Sequence, residues 1–314
     1  MNELQISVVM PTFNRLDKLH EVLPTLLRQT LSPDAYEIVI ADSLSTDGTA
    51  QYLAELAAGH GERVRHLPGT YGGRGAARNA GIAAARAPIV LFTDADILAS
   101  EDLLERHARG HAETSARVAI VGCELQVRTF ADYERQRDHP EARAPLHPPT
   151  RRRLSWLYFL TGNASARRED LLRVGCFDDQ FTGYGHEDLE LGYRLQKDGV
   201  EILYDAQAVN YHWHPVGFAE QTGRMELAGV STVRFYRKHQ DMMVKANLGM
   251  TPISLWMHSA LEKAPGLRAR LERAATSVEA PVKNTWPYIA RQIAYQYHYV
   301  SGIKRALKEG PGAS

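Results

Sequence analysis

Net charge is what this chain most plainly lacks. Lys and Arg number 37, and so do Asp and Glu. No global field draws it to nucleic acid, and no nucleic-acid partner is expected. Cysteine is nearly missing: Cys123 and Cys176 form no CxxC pair and offer no disulfide framework. A reducing, cytosolic setting is the simpler expectation. No run reaches the roughly 18 uncharged apolar residues that a spanning helix needs. The opening "MNELQISVVMPTFNR" has an acid before a short apolar run, the wrong charge and length for a secretory signal. The expected protein is soluble, or at most rests on the inner face of a membrane. Two nucleotide signatures are also missing. There is no GxxxxGK[ST] run, and no GxGxxG follows the first strand.

What is present is ordinary globular composition, 44% apolar and 24% charged. A length of 314 residues suits one large domain or a domain with an extension. Short β-rich runs at 5–10, 37–41, 63–67, 89–93 and 118–122 alternate with helical stretches at 15–30, 47–58, 74–86 and 100–113. That rhythm predicts an α/β fold, a mostly parallel sheet covered on both faces. It breaks at 128–155, rich in Pro, Arg and His, which reads as a long mobile loop. A helix at 187–198 and a β-rich stretch ending near 214 close the core; from 216 the chain reads as helices. The expected division is 1–215, with halves meeting near 120, and a helical extension over 216–314.

Ligands of an open parallel sheet bind beyond the carboxyl ends of its strands. Here those ends carry "PTFNR", Asp42, the glycine stretch 69–81 and "DAD" at 94–96. Gly72, Gly73 and Gly75 open a helix bearing Arg74 and Arg78. Amides and arginine at a helix start suit a diphosphate, and a flexible turn with solvated arginines suits the same letters equally. Asp94 and Asp96 sit one residue apart at the end of a greasy strand. Ser100, Glu101 and Asp102 already suit the capping of the next helix, so the pair would only repel unless a cation lies between. Oxygen ligands point to Mg²⁺ or Mn²⁺. In "TGYGHEDLELGYRL", Glu187 and Asp188 open a helix behind two glycines, which suits a carboxylate aimed into a cleft as general base. In "NYHWHP", either His212 or His214 could join a metal, although a lone His is more often structural.

Together "SVVMPTFNR", "EIVIADSLSTDGT", "GRGAARNAGI", "LFTDAD", "GNAS" and "GHEDLELGYRL" resemble the family-2 inverting glycosyltransferases of the GT-A fold, over about residues 6–214. The resemblance implies a Rossmann-like GT-A domain and transfer from a nucleotide-diphosphate sugar, a UDP-sugar, with Mn²⁺ or Mg²⁺. It places Pro11, Thr12, Asn14, Arg15, Asp42, Gly73, Arg74, Arg78, Asp94 and Ala95 around the nucleotide-sugar. Asp96 and His212 would hold the metal. Asp188 would be the base, with Glu187 assisting the acceptor. Trp156, Gly162 and Asn163 are candidates for the acceptor side, and Trp156, Tyr158 and Trp213 for stacking on sugars. One position departs: the family often has a second acid and a glycine after Asp42, where this chain has Ser43 and Leu44.

The acceptor would be a carbohydrate or a lipid-linked glycan of the cell envelope. The segment 267–309 carries eight Lys and Arg against three Glu, so its amphipathic helix could meet a membrane, a second copy or the core. Two rival readings are a sugar-1-phosphate nucleotidyltransferase and a non-catalytic nucleotide-sugar-binding protein. The first would want a basic glycine loop after the first strand, and the second predicts loss of the base.

Overall fold

The computed structural model describes residues 3–143, 145, 148–181, 184–279 and 283–309. The chain divides into two compact units, Met1–Thr182 with Glu187–Pro215, and Gly183–His186 with Val216–Ser314.

The first unit begins with β1 (Ile6–Thr12), α1 (Leu16–Leu27), β2 (Tyr36–Asp42), α2 (Thr49–His60), β3 (Val64–Pro68), α3 (Arg74–Ala84) and β4 (Ile89–Phe92). It continues with β5 (Ile97–Ala99), α4 (Leu103–Ala112), β6 (Val118–Gln126), α5 (Phe130–Asp138), β7 (Arg153–Leu154), β8 (Ala164–Arg167), α6 (Arg168–Arg173), α7 (Glu187–Lys197) and β9 (Glu201–His212). The strands form one sheet in the order β3-β2-β1-β4-β8-β6-β9-β5, with β7 also on β9. β1 runs parallel to β2 and β4, and β2 to β3. Every residue of β1 and β2 is buried, as central parallel strands under helices require.

The sheet is less parallel than the alternation implied. β8 is antiparallel to β4 and β6, and β5 and β7 are antiparallel to β9. These strands are two to four residues long, too short to show a period. The stretch 128–155, expected as a mobile loop, contains α5. Its start is closed by a reciprocal pair: Asp132 N donates to Thr129 Oγ1 at 3.1 Å, and Thr129 N donates to Asp132 Oδ2 at 3.2 Å. Tyr133 is its buried side chain, so α5 carries almost no hydrophobic rhythm. Positions 144, 146 and 147 lie outside the described residues.

The second unit holds α8 (Phe218–His239), α9 (Met242–Asn247), α10 (Pro252–Glu262), α11 (Pro265–Thr276) and α12 (Trp286–Lys308). Ala290, Ala294, Val300, Ile303 and Ala306 of α12 are buried, and α12 packs on α8 and α11. This apolar face of α12 is buried within the second unit. Two glycines let α8 and α12 touch backbone to backbone. A Cβ on Gly302 would lie 1.9 Å from Glu226 O, and one on Gly229 would lie 2.0 Å from Tyr299 O. Neither backbone can yield cheaply. Gly302→Ala should cost about 1–3 kcal/mol, read as a lower midpoint in denaturant unfolding; an unchanged midpoint would contradict the close crossing.

Among the described residues, no helix is long and apolar enough to cross a membrane.

Candidate active site

Parallel strands bring their carboxyl ends to one edge, and the register Thr12↔Asp42 sets the first two ends side by side. The loops that follow are laced together. Ser45 Oγ donates to Asp42 Oδ1 at 2.5 Å and accepts from Asn14 N at 2.8 Å. Thr46 N donates to Asn14 Oδ1 at 2.8 Å, and Arg15 N donates to Thr49 Oγ1 at 3.1 Å. His66 Nε2 lies 3.4 Å from Asp42 Oδ2. Asp42 is fully buried, and its carboxylate ties the turn down. Leu44, standing where the resembled family has glycine, adopts φ +56°, and Asn14 adopts φ +50°. Leu44 thus takes the left-handed conformation that glycine reaches without strain. Pro11 and Thr12 are buried, whereas Phe13 and Leu44 stand exposed beyond the two strand ends.

After β4 the chain turns at once. Ile97 N donates to Asp94 O at 3.1 Å, and β5 then pairs with β9 in the register Ile97↔His212. Trp213 N donates to Asp96 O at 2.8 Å. This pairing draws "HWH" to the acids. His214 Nδ1 lies 3.1 Å from Asp96 Oδ2, and His212 Nε2 lies 3.6 Å from Asp96 Oδ1. Both histidines therefore flank Asp96. Burial alone would raise the Asp96 pKa, but the His214 hydrogen bond and the charges of His212, His214 and Arg15 outweigh it and hold it low. Ala95 is buried in the core cluster.

Glu124, on β6, joins this group without having been marked by any motif. Its Oε1 lies 3.3 Å from His212 Nδ1. Burial depresses the His212 pKa, and the Glu124 contact with the nearby Asp96 and Asp94 charges raises it further than burial lowers it. A proton on Nδ1 toward Glu124 leaves the Nε2 lone pair for a cation. A Cβ at Gly162 would lie 2.3 Å from Glu124 Oε2. Gly162 is clearance for this carboxylate, which gives that glycine a structural reason beside the acceptor expectation. The sole hint in sequence is an acid inside the otherwise apolar run "VAIVGCELQ".

On the other side stands Arg78, expected beside the donor but 1% exposed. Its Nη2 donates to Asp94 Oδ1 at 2.6 Å, and its Nη1 lies 3.6 Å from Glu187 Oε1. Arg74 Nη2, on the same helix start after Gly73, lies 3.7 Å from that oxygen. Arg78 is thus a buried strut joining the end of β4 to the start of α7, while Arg74 is half-exposed. Asp188, half-buried, accepts from Leu189 N at 2.8 Å. Burial and the Glu187 charge push its pKa up to about 7, against the pull of Arg78, the Leu189 amide and Arg74.

Two acceptor-side expectations fall on buried groups. Trp156 is buried edge-on against Tyr193, with ring centroids 5.7 Å apart, so it offers no stacking face. Trp213 packs against Phe130 at 5.7 Å under Lys18; Tyr158 remains exposed. Asn163 is buried with its amide spent. Its Nδ2 donates to Ala208 O at 2.9 Å, and its Oδ1 faces His107 Nε2 at 2.9 Å.

That amide fixes a chain of proton positions. Asn163 Oδ1 can only accept, so His107 Nε2 carries the hydrogen and Nδ1 is an acceptor. Ser165 Oγ, 2.8 Å away, donates to it and accepts from His111 Nε2 at 2.9 Å. Both imidazoles are neutral. Burial lowers the pKa of His107 to about 4 and that of His111 to about 3, from 6.5. The unfolded chain therefore binds these protons first as pH falls below 6.5. Stability should drop between pH 6.5 and about 4 and be insensitive to these groups above 6.5. Denaturant unfolding at pH 5 and pH 7 should show this gap, and His111→Gln should narrow it; an equal gap in the variant would contradict the assignment.

Among the described residues, no group of three or more His, Cys, Asp or Glu forms a metal-binding cluster. Asp96 and its two histidines therefore need ligand atoms from elsewhere to complete a cation site.

Residues 7–175 match the model of glycosyl transferase family 2, more than half of the chain, and residues 146–212 match the N-terminal domain of galactosyltransferase. A validoxylamine A glucosyltransferase from Streptomyces hygroscopicus subsp. limoneus is 32% identical over 277 residues, 76% of this chain and 57% of that protein. The chain spans less than two thirds of the length of the first curated relatives it matches. Among solved structures, a mannosyltransferase from Pyrobaculum calidifontis in complex with GDP-Man and Mn²⁺ aligns over 98% of this chain and 88% of its own, with TM-score 0.64 and 20% identity. Residues 1–349 of S. aureus TarS in complex with UDP align over 99% and 93%, with TM-score 0.58 and 18% identity. The fold is that of the GT-A enzymes. By the match over 7–175, the chain belongs to glycosyl transferase family 2.

Proposed function

We propose that this chain moves a sugar from a UDP-sugar to an acceptor hydroxyl by a single, inverting displacement that depends on Mn²⁺ or Mg²⁺. The observation that carries the reading is two charged groups set two residues apart after β4, His214 with Asp96 and Asp94 with Arg78 and Glu187, with Asp188 next to Glu187 in sequence. One carboxylate and one or two imidazoles suit a cation whose other ligands are diphosphate oxygens. Bound to Asp96 with His212 or His214, such an ion would neutralise the leaving diphosphate.

The chain's own groups do the rest. On the resemblance Asp94, held by Arg78, contacts ribose or sugar. Arg74, half-exposed at the start of α3, suits phosphate binding. Phe13 and Leu44 offer apolar surface to a base, and the turn that Asp42 ties down presents backbone groups to its edge. Asp188 takes the proton from the acceptor hydroxyl as that oxygen attacks the anomeric carbon from the face opposite the diphosphate. A pKa near 7 suits this duty, since the group is ionised yet basic at neutral pH.

The family match leaves the nucleotidyltransferase reading without support. The relatives are named for several acceptors, among them validoxylamine A and poly(ribitol phosphate), and we infer a hydroxylated glycan or glycan-like acceptor. Mass spectrometry on a panel of nucleotide-sugars tests the proposal. Slow hydrolysis of one UDP-sugar to UDP, stopped by EDTA and restored by Mn²⁺, is expected. Turnover unaffected by EDTA, or preference for a GDP-sugar, would contradict the metal or the base assignment respectively.

A further inference from the structure

Helix α10 carries an apolar stripe on its outer side. Positions 253, 256, 257 and 260, an i, i+3, i+4, i+7 stripe, are exposed and apolar, namely Ile253, Trp256, Met257 and Ala260, and Pro252 and Glu262 at the two helix ends are exposed as well. Ile253 and Trp256 are each 70% exposed. The inward side carries Leu255 and Leu261, packed on the unit's hydrophobic clusters. It also carries His258, buried with its Nε2 2.8 Å from Ser301 Oγ. An apolar outer stripe departs from the polar outer face that a surface helix usually shows. Beside the stripe in sequence, Met242 and Met243 of α9 and Leu267 of α11 are also more than half exposed. The fully exposed charges over 238–276 are Lys238, Lys263, Arg270 and Arg273, against Glu262, which is paired with Lys304.

We propose that the α10 stripe of the second unit docks on an anionic lipid bilayer. Size decides between a bilayer and a second copy of the chain. An eleven-residue helix is about 16 Å long, so a stripe about 10 Å wide offers a few hundred square ångströms at most. A stable protein interface needs about 800 Å² from each partner. Shallow insertion needs only such a stripe, an aromatic at the headgroup level and basic flanks, and this surface has all three. The surface is not the one the sequence pointed to, since the apolar face of α12 is buried within the unit. The inference concerns lipid binding alone and does not depend on which sugar is transferred.

The test uses the full chain and vesicles of phosphatidylcholine with and without phosphatidylglycerol. Co-sedimentation with the anionic vesicles is expected, with blue-shifted tryptophan emission that Trp256→Phe abolishes. The triple variant Ile253→Ser, Trp256→Ser, Met257→Ser should bind at least about tenfold more weakly with its circular dichroism and unfolding midpoint unchanged. Lys263→Glu with Arg270→Glu should remove the preference for phosphatidylglycerol. The proposal is overturned if the wild-type chain stays in the supernatant, or if the triple variant binds as well as wild type. It is equally overturned if light scattering shows a dimer that the triple variant dissolves while neither form binds vesicles.

Discussion

Replacing Asp188 by Asn should slow transfer by about 10²–10⁴-fold while leaving donor affinity nearly intact. The amide keeps the shape and the Leu189 contact but cannot accept the hydroxyl proton. The same change should raise stability at neutral pH. Burial and Glu187 lift the Asp188 pKa from 3.8 to about 7, so the unfolded chain holds fewer protons than the folded one between those values. Stability therefore falls as pH rises through that window, and a neutral side chain removes the penalty. Wild-type kcat/KM should climb with pH through about 7 and level off above it, and the variant's residual rate should lack that limb. Donor titration, rate profiles and unfolding midpoints measured on the two proteins check all three. An Asp188→Asn variant that turns over like wild type would remove the base assignment.

Arg78→Met should do damage of a different kind. Arg78 is buried between Asp94 and Glu187, and its removal leaves both carboxylates without their shared cation. Breaking a buried pair of this sort costs about 3–5 kcal/mol, which denaturant unfolding reads directly. Arg78 is also one of the groups that pull the Asp188 pKa down, so the variant's rate limb should move to higher pH. Arg78→Lys should rescue neither effect fully, because one ammonium cannot replace a planar fork that reaches two acids. A stable variant with an unmoved rate limb would mean that the strut positions nothing.

The first helices were legible because each carries its own period over ten or more residues, as Leu19, Val22, Leu23 and Leu26 do on α1, and the strands between them as apolar runs set off by those helices. β5, β7 and β8 were not, since two to four residues carry no period and their pairing is decided by distant β9, β4 and β6. The site shows the same division. Asp94, Asp96, Glu187 and Asp188 stand at element ends where chain direction alone announces them. Whether a side chain there faces ligand or protein is a tertiary matter. Arg78, Asp42 and Asn163, expected at the ligand, are buried and bonded to the protein. Glu124, which stands behind His212, lies in mid-strand and belongs to no motif.

The central claim is a single displacement driven by Asp188, and the configuration of the first-formed product tests it most directly. Water can stand in for the unknown acceptor. Proton NMR during hydrolysis of an α-linked UDP-sugar, recorded before mutarotation, should show the β-anomer appearing first, with the signal suppressed in Asp188→Asn. First appearance of the α-anomer would mean retention and would contradict the account.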